Sequence, residues 1–130
     1  MTIEDSYQGA SDPSGLEEQT LIRLLGLAGP TDAPELMRRL RADVQTVAAG
    51  MKAGLARADR AAMRKHSHVL LAIAGTIGAP RIQALATQLN QCAKDAACVD
   101  AQPQAVELMH RLDGLIHRLQ SMTVELGLER

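Results

Sequence analysis

The chain has 130 residues, which sets the expectation of one domain, long enough to bury a core without staples. Its 14 Lys and Arg against 15 Asp and Glu, with Tyr7 as the single aromatic, exclude a nucleic-acid binder that works by bulk positive charge or base stacking. Hydrophobic residues make up 46% of the chain and are mostly Ala, Leu and Met, a composition that favours helices over pleated sheet.

In chain order, "MTIEDSYQGASDPSG" is acidic and lacks the basic and apolar regions of a signal peptide, so the cytosol is the expected compartment. Residues 1–13 carry no period and are expected to form a flexible tail, with residues 14–130 as one helical domain. Ser14 and Glu17 form a capping-box pattern ahead of "LIRLLGLAG", a first short helix stopped by Gly29 and Pro30. Asp32 and Glu35 repeat the pattern before a longer helix whose apolar positions are Leu36, Leu40, Val44, Val47, Met51 and Leu55.

A third helix is expected from Ala58 or Asp59 to Ile77, ended by Gly78. Pro80 suits the first turn of a fourth, running to Ala97, with Ile82, Leu85, Leu89 and Cys92 as its apolar stripe. "CVDAQP" reads as a connector. The last helix puts Val106, Met109, Leu112, Leu115 or Ile116, Leu119 and Met122 on one face. The expected fold is therefore all-α: an antiparallel four-helix bundle, up-down-up-down, with a short additional N-terminal helix lying across it. The run from Val69 to Pro80 is too short to span a bilayer and is broken by Gly75 and Gly78. Cys92 and Cys98, six apart and without a second pair, are expected to be free thiols in a reducing compartment, and no metal site is expected.

The third helix contains "MRKHSH", with two histidines two residues apart that cannot share a face. At about 100° per residue, Met63, His66, Leu70, Ile73, Ala74 and Ile77 gather on one side, which makes His66 a core or boundary residue. His68 falls opposite, among Ala61, Arg64, Lys65, Ala72 and Gly75. Small neighbours leave an imidazole nitrogen open to a bulky partner, and Arg64 and Lys65 attract anions. An exposed imidazole is a competent nucleophile that can carry a covalent group. A surface histidine on an Ala-rich helix face also occurs with no such role. His110 and His117 lie two turns apart on the last helix and read as a solvated face, as does "RRLRAD" at Arg38 to Asp43.

"HVLLAIAGTIGA" resembles the signature of histidine-containing phosphotransfer (HPt) domains of two-component phosphorelays: a histidine, a leucine two on, an alanine six on and a glycine ten on, here His68, Leu70, Ala74 and Gly78, followed by Ala79. The helix order over about residues 15 to 125 is similar as well. The resemblance implies that His68 is a phosphoacceptor, taking a phosphoryl group from a receiver-domain aspartate and passing it to another receiver. It implies response-regulator receiver domains as partners, with a hybrid histidine kinase as a further candidate. No cofactor is expected on this chain; Mg2+ is expected in the receiver. A monomer without nucleic-acid or membrane partners is expected, and no ATP-binding motif suggests autophosphorylation.

Three positions depart from the pattern. Leu71 stands where the family usually has lysine, Ala72 where it usually has glycine, and Asn90 where a longer amide or acid often holds the other ring nitrogen of the histidine. Arg64, Lys65 or Arg81 are the candidates to replace the lysine, and Leu71, read as exposed at the edge of the site, suits partner docking. Two alternatives stay open: a degenerate adaptor that binds a receiver or kinase without carrying phosphate, and a bundle in which His68 is incidental.

Overall fold

A computed structural model describes residues 14–129. The expected tail at residues 1–13 lies outside the described residues. Four helices follow one another: α1 Glu18–Ala56, α2 Arg60–Ile77, α3 Pro80–Lys94 and α4 Ala101–Glu125. Each packs on its neighbour in sequence and α4 closes back on α1, whereas α2 and α4 barely touch across the diagonal. This is the up-down-up-down bundle, with no strand among the described residues.

The expected short first helix and long second one are two arms of α1, broken where Gly29 adopts φ 85° and ψ 164°. Pro30 opens the second arm, a position where its missing N–H costs nothing. The two capping boxes do not form as read. Ser14 Oγ accepts from the Leu16 N–H (3.2 Å), and Glu17, the residue before α1, makes no side-chain cap. Glu35 reaches forward to Arg38 (2.7 and 2.8 Å) instead of back toward Asp32. The short arm lies across the end of the bundle: the Glu17 N–H donates to the Gly78 carbonyl (2.7 Å), and Arg118 of α4 grips Glu18 through two hydrogen bonds (2.5 and 2.8 Å). Its hydrogen bonds to Glu18 and Glu125 hold the Arg118 guanidinium more firmly protonated than usual.

The core is aliphatic and methionine-rich, with Met37, Met51, Met63, Leu70, Ile77, Ile82, Leu89, Leu112 and Leu119 all fully buried. Burial of each such side chain stabilises the fold by roughly 1.5–3 kcal/mol against exposure. On α4 the buried stripe runs through Ala101, Ala105, Leu108, Leu112, Leu115, Leu119 and Met122; Val106, expected inside, is 55% exposed. Before Leu112 the stripe steps back by four and three to Leu108, Ala105 and Ala101, where α4 starts inside the expected connector; uniform steps of three, to Met109 and Val106, drift off a 3.6-residue period.

The largest correction concerns the cysteines: Cys92 and Cys98 form a disulfide, with Cα atoms 5.3 Å apart. A helix continued to Ala97 would set them about 9 Å apart along its axis. Instead α3 ends at Lys94 and the chain turns back, the Cys98 N–H donating to the Asp95 carbonyl (2.9 Å) and the Ala97 N–H to Asp95 Oδ1 (3.0 Å). That turn brings the sulfurs within bonding reach. The ring is small, so its entropic contribution to stability is about 2 kcal/mol.

The α2–α3 turn is built on Gly78, which ends α2 in the left-handed region (φ 86°, ψ 45°) with Thr20 directly above it. A Cβ there would stand 2.6 Å from the Thr20 Cβ. Gly78→Ala is expected to destabilise the protein by at least about 1 kcal/mol from backbone strain alone. Urea denaturation of Gly78→Ala and of Gly78→Ala/Thr20→Ala checks this: the second variant should recover the steric part of the loss and not the backbone part.

Candidate functional site

The phase of α2 is set by Met63, Ser67, Leu70, Ala74 and Ile77, its buried residues, which recur at steps of four and three. One residue past buried Ser67, His68 points to solvent. His66 takes the edge of the apolar stripe against α1, where Gly50 makes room: a Cβ on Gly50 would stand 2.2 Å from the His66 ring. Partial burial and the neighbouring Lys65 push the His66 pKa below its usual value.

His68 stands on a ridge between two surface hollows. Toward α3, Arg64, Lys65, His68, Val69, Asn90 and Lys94 line a space of about 340 Å³. Toward α1, Asp43, Thr46, Val47, His68, Val69, Ala72 and Ile73 line one of about 400 Å³. The two flanks differ in sign, three cations facing one side of the imidazole and a single carboxylate the other. An anion carried on the ring is attracted to the α3 flank. Among the described residues no side chain hydrogen-bonds the His68 ring, and Ala72, one turn on, leaves it uncovered.

The expected site residues divide. Arg64, Lys65, Ala72 and Asn90 do surround His68. Asn90, 6% exposed, does not hold the imidazole: its Nδ2 donates to the Arg64 carbonyl (3.0 Å), which also accepts from Ser67 Oγ (3.1 Å). It thereby locks the turn of α2 that carries His68 onto α3. Gly75 lines neither hollow. A Cβ there would stand 2.6 Å from Gln83 Nε2, so its role is to admit Gln83 of α3. Arg81 lies at the other end of α3, against Gly15. Leu71, expected at an exposed edge, is half-buried and packs against the core, because it lies four residues past buried Ser67 and three before buried Ala74, on the flank of the buried stripe. The apolar side chain that stands beside His68 is Val69, 43% exposed.

Sequence reasoning missed Lys94, Asp43 and Thr46. Lys94 had a signal, since it follows Asn90 by one helical turn and so shares its face. Asp43 and Thr46 had none, because only the packing of α1 on α2 brings them near His68. His110 and His117 are both exposed, and no cluster of His, Cys, Asp or Glu among the described residues has the makings of a metal site. No helix of the described residues is long and apolar enough to cross a membrane.

The family model of the Hpt domain matches residues 35–122, more than half of the chain, and the protein belongs to that family. Hpt domains take part in phosphorelay signalling as phosphotransfer carriers and are not kinases. No curated protein and no solved structure matches the chain.

Two outcomes follow from this geometry. Because the His66 pKa is lowered in the folded state, the unfolded chain binds the proton more readily, and the stability that neutral His66 supports is present above pH 6.5 and lost as pH falls below it. Denaturation across pH 5–8 should show this decline in wild type, reduced in His66→Gln. Asn90→Ala, which strips the Arg64 carbonyl of a buried donor, is expected to cost about 1–2 kcal/mol by thermal or urea unfolding.

Proposed function

We propose that the protein is a phosphorelay intermediate in which His68 is the phosphoacceptor. The observation that carries this reading is the uncovered His68 ring with Arg64, Lys65 and Lys94 along one flank and the small Ala72 beside it. The ring nitrogen facing solvent attacks the phosphorus of an aspartyl phosphate on a receiver domain. The P–O bond to the aspartate breaks, the carboxylate is regenerated, and the phosphoryl group rests on the ring until a second receiver's aspartate takes it by the reverse step.

Such a loose transfer asks mainly for positioning and charge neutralisation. This chain supplies the nucleophile and the cationic flank. The receiver supplies the aspartate and the Mg2+ ion, so no cofactor is assigned to this chain. A hybrid histidine kinase is a further candidate partner, and a cytoplasmic monomer is the form in which the relay would operate. Val69 and Ala72 offer the apolar contact expected of a docking surface around the ring.

A second reading, an adaptor that binds receivers without carrying phosphate, is favoured by one specific observation. Leu71 occupies the place of the family's usual lysine and is turned into the core, so no cation projects from that position.

A panel of phosphorylated receiver domains offered to wild type, His68→Gln and His66→Gln separates the two. Acid-labile label lost by more than tenfold only in His68→Gln supports the relay. Receiver binding without label on any variant supports the adaptor.

A further inference from the structure

The Cys92–Cys98 disulfide closes a ring around the end of α3, and inside that ring lies Lys94, one of the three cations beside His68. The same ring is tied to α2. Arg60, the first residue of α2, donates from its guanidinium to the carbonyls of Cys92 (2.6 Å), Asp95 (2.7 Å) and Cys98 (3.0 Å). Disulfide, Lys94 and the helix that carries His68 are thus one mechanical unit.

Little else anchors the turn. Asp95, Ala96, Ala97, Val99 and Asp100 are exposed, and Cys98 alone is half-buried against the core. The hydrogen bonds from Ala97 and Cys98 to Asp95 are internal to the turn and travel with it. A segment with so few buried contacts opens locally at low free energy once its covalent tie is gone. With the sulfurs separated, the turn after Lys94 has no covalent tie and rests on the Arg60 hydrogen bonds and the half-buried Cys98 side chain.

Resting on the phosphocarrier reading of His68, we propose that Cys92–Cys98 is a redox latch on the phosphorylation site. Oxidised, it holds Lys94 beside the imidazole; reduced, it frees the end of α3 and withdraws that cation. In the reducing step a thiolate of a dithiol reductant attacks the sulfur of Cys98, the less buried partner. The S–S bond breaks and Cys92 leaves as a thiolate that takes up a proton. The reductant's second thiol then displaces Cys98 from the mixed disulfide, so two electrons pass to the cysteine pair and the reductant ends as its own disulfide. In a reducing compartment, where the proposed function sets the relay, disulfides are mostly transient and redox-sensing.

The test uses the full chain and phosphoramidate, a small donor whose P–N bond breaks to release ammonia as His68 is phosphorylated. Initial labelling rates are compared for oxidised protein and for protein reduced with dithiothreitol, with helical circular dichroism recorded for both. The expected result is helicity preserved apart from the last turn of α3, with labelling slowed about fivefold on reduction, the scale of one lost surface charge contact. Cys92→Ser/Cys98→Ser should label at the reduced rate with or without dithiothreitol, and Lys94→Ala should label equally slowly in both states. Equal labelling of His68 in oxidised and reduced wild type overturns the latch and leaves the phosphocarrier reading standing. A redox effect that persists in Lys94→Ala, or a loss of helicity on reduction that exceeds the last turn of α3, overturns it as well. Absence of label on His68 in either state, from phosphoramidate and from receivers alike, overturns the phosphocarrier reading and the latch with it.

Discussion

Everything at the site depends on the rotational setting of α2. A helix advances about 100° per residue, so burying Met63, Ser67, Leu70, Ala74 and Ile77 leaves no freedom over where the rest point. His68 is forced outward and His66 toward α1, where only a glycine at position 50 leaves space for an imidazole. Two histidines of identical chemistry thus acquire different environments, one uncovered and one partly desolvated. The difference comes entirely from their phase on one helix.

The seam between α2 and α3 turns this orientation into a place. Gly75 admits Gln83, Asn90 donates to the Arg64 carbonyl, and Arg60 binds the carbonyls at the end of α3. These contacts act on backbone as much as on side chains, so they hold the turn of α2 around Arg64 in a fixed register against α3. Register decides which α3 residues reach the histidine. It brings Asn90 and Lys94 alongside and leaves Arg81, fewer than four turns back along the same helix, at the far end of the bundle. It also sets Lys94 with Arg64 and Lys65 along one flank of His68.

The all-α architecture, the helix order and the outward histidine were legible because each follows from local rules. Hydrophobic period, a left-handed glycine at Gly78 and proline at the start of α3 act within a few residues of where they are written. The end of α3 was placed three residues late because "DAA" carries no breaker, and the same misplacement hid the disulfide, which needs the chain to turn back at Asp95. Leu71, expected at an exposed edge, shares a flank with buried Ser67 four residues before and Ala74 three after, and so turns half inside.

The sequence by itself determined the fold class, the residue that faces outward on α2 and the family to which the chain belongs, because periodicity and motif spacing are properties of a single segment. Tertiary structure alone decided that Lys94, Asp43 and Thr46 surround His68, that Asn90 secures backbone instead of the imidazole, and that two cysteines meet. Each of those facts depends on the register between packed helices or on a change of chain direction, and both are set by how whole surfaces fit together.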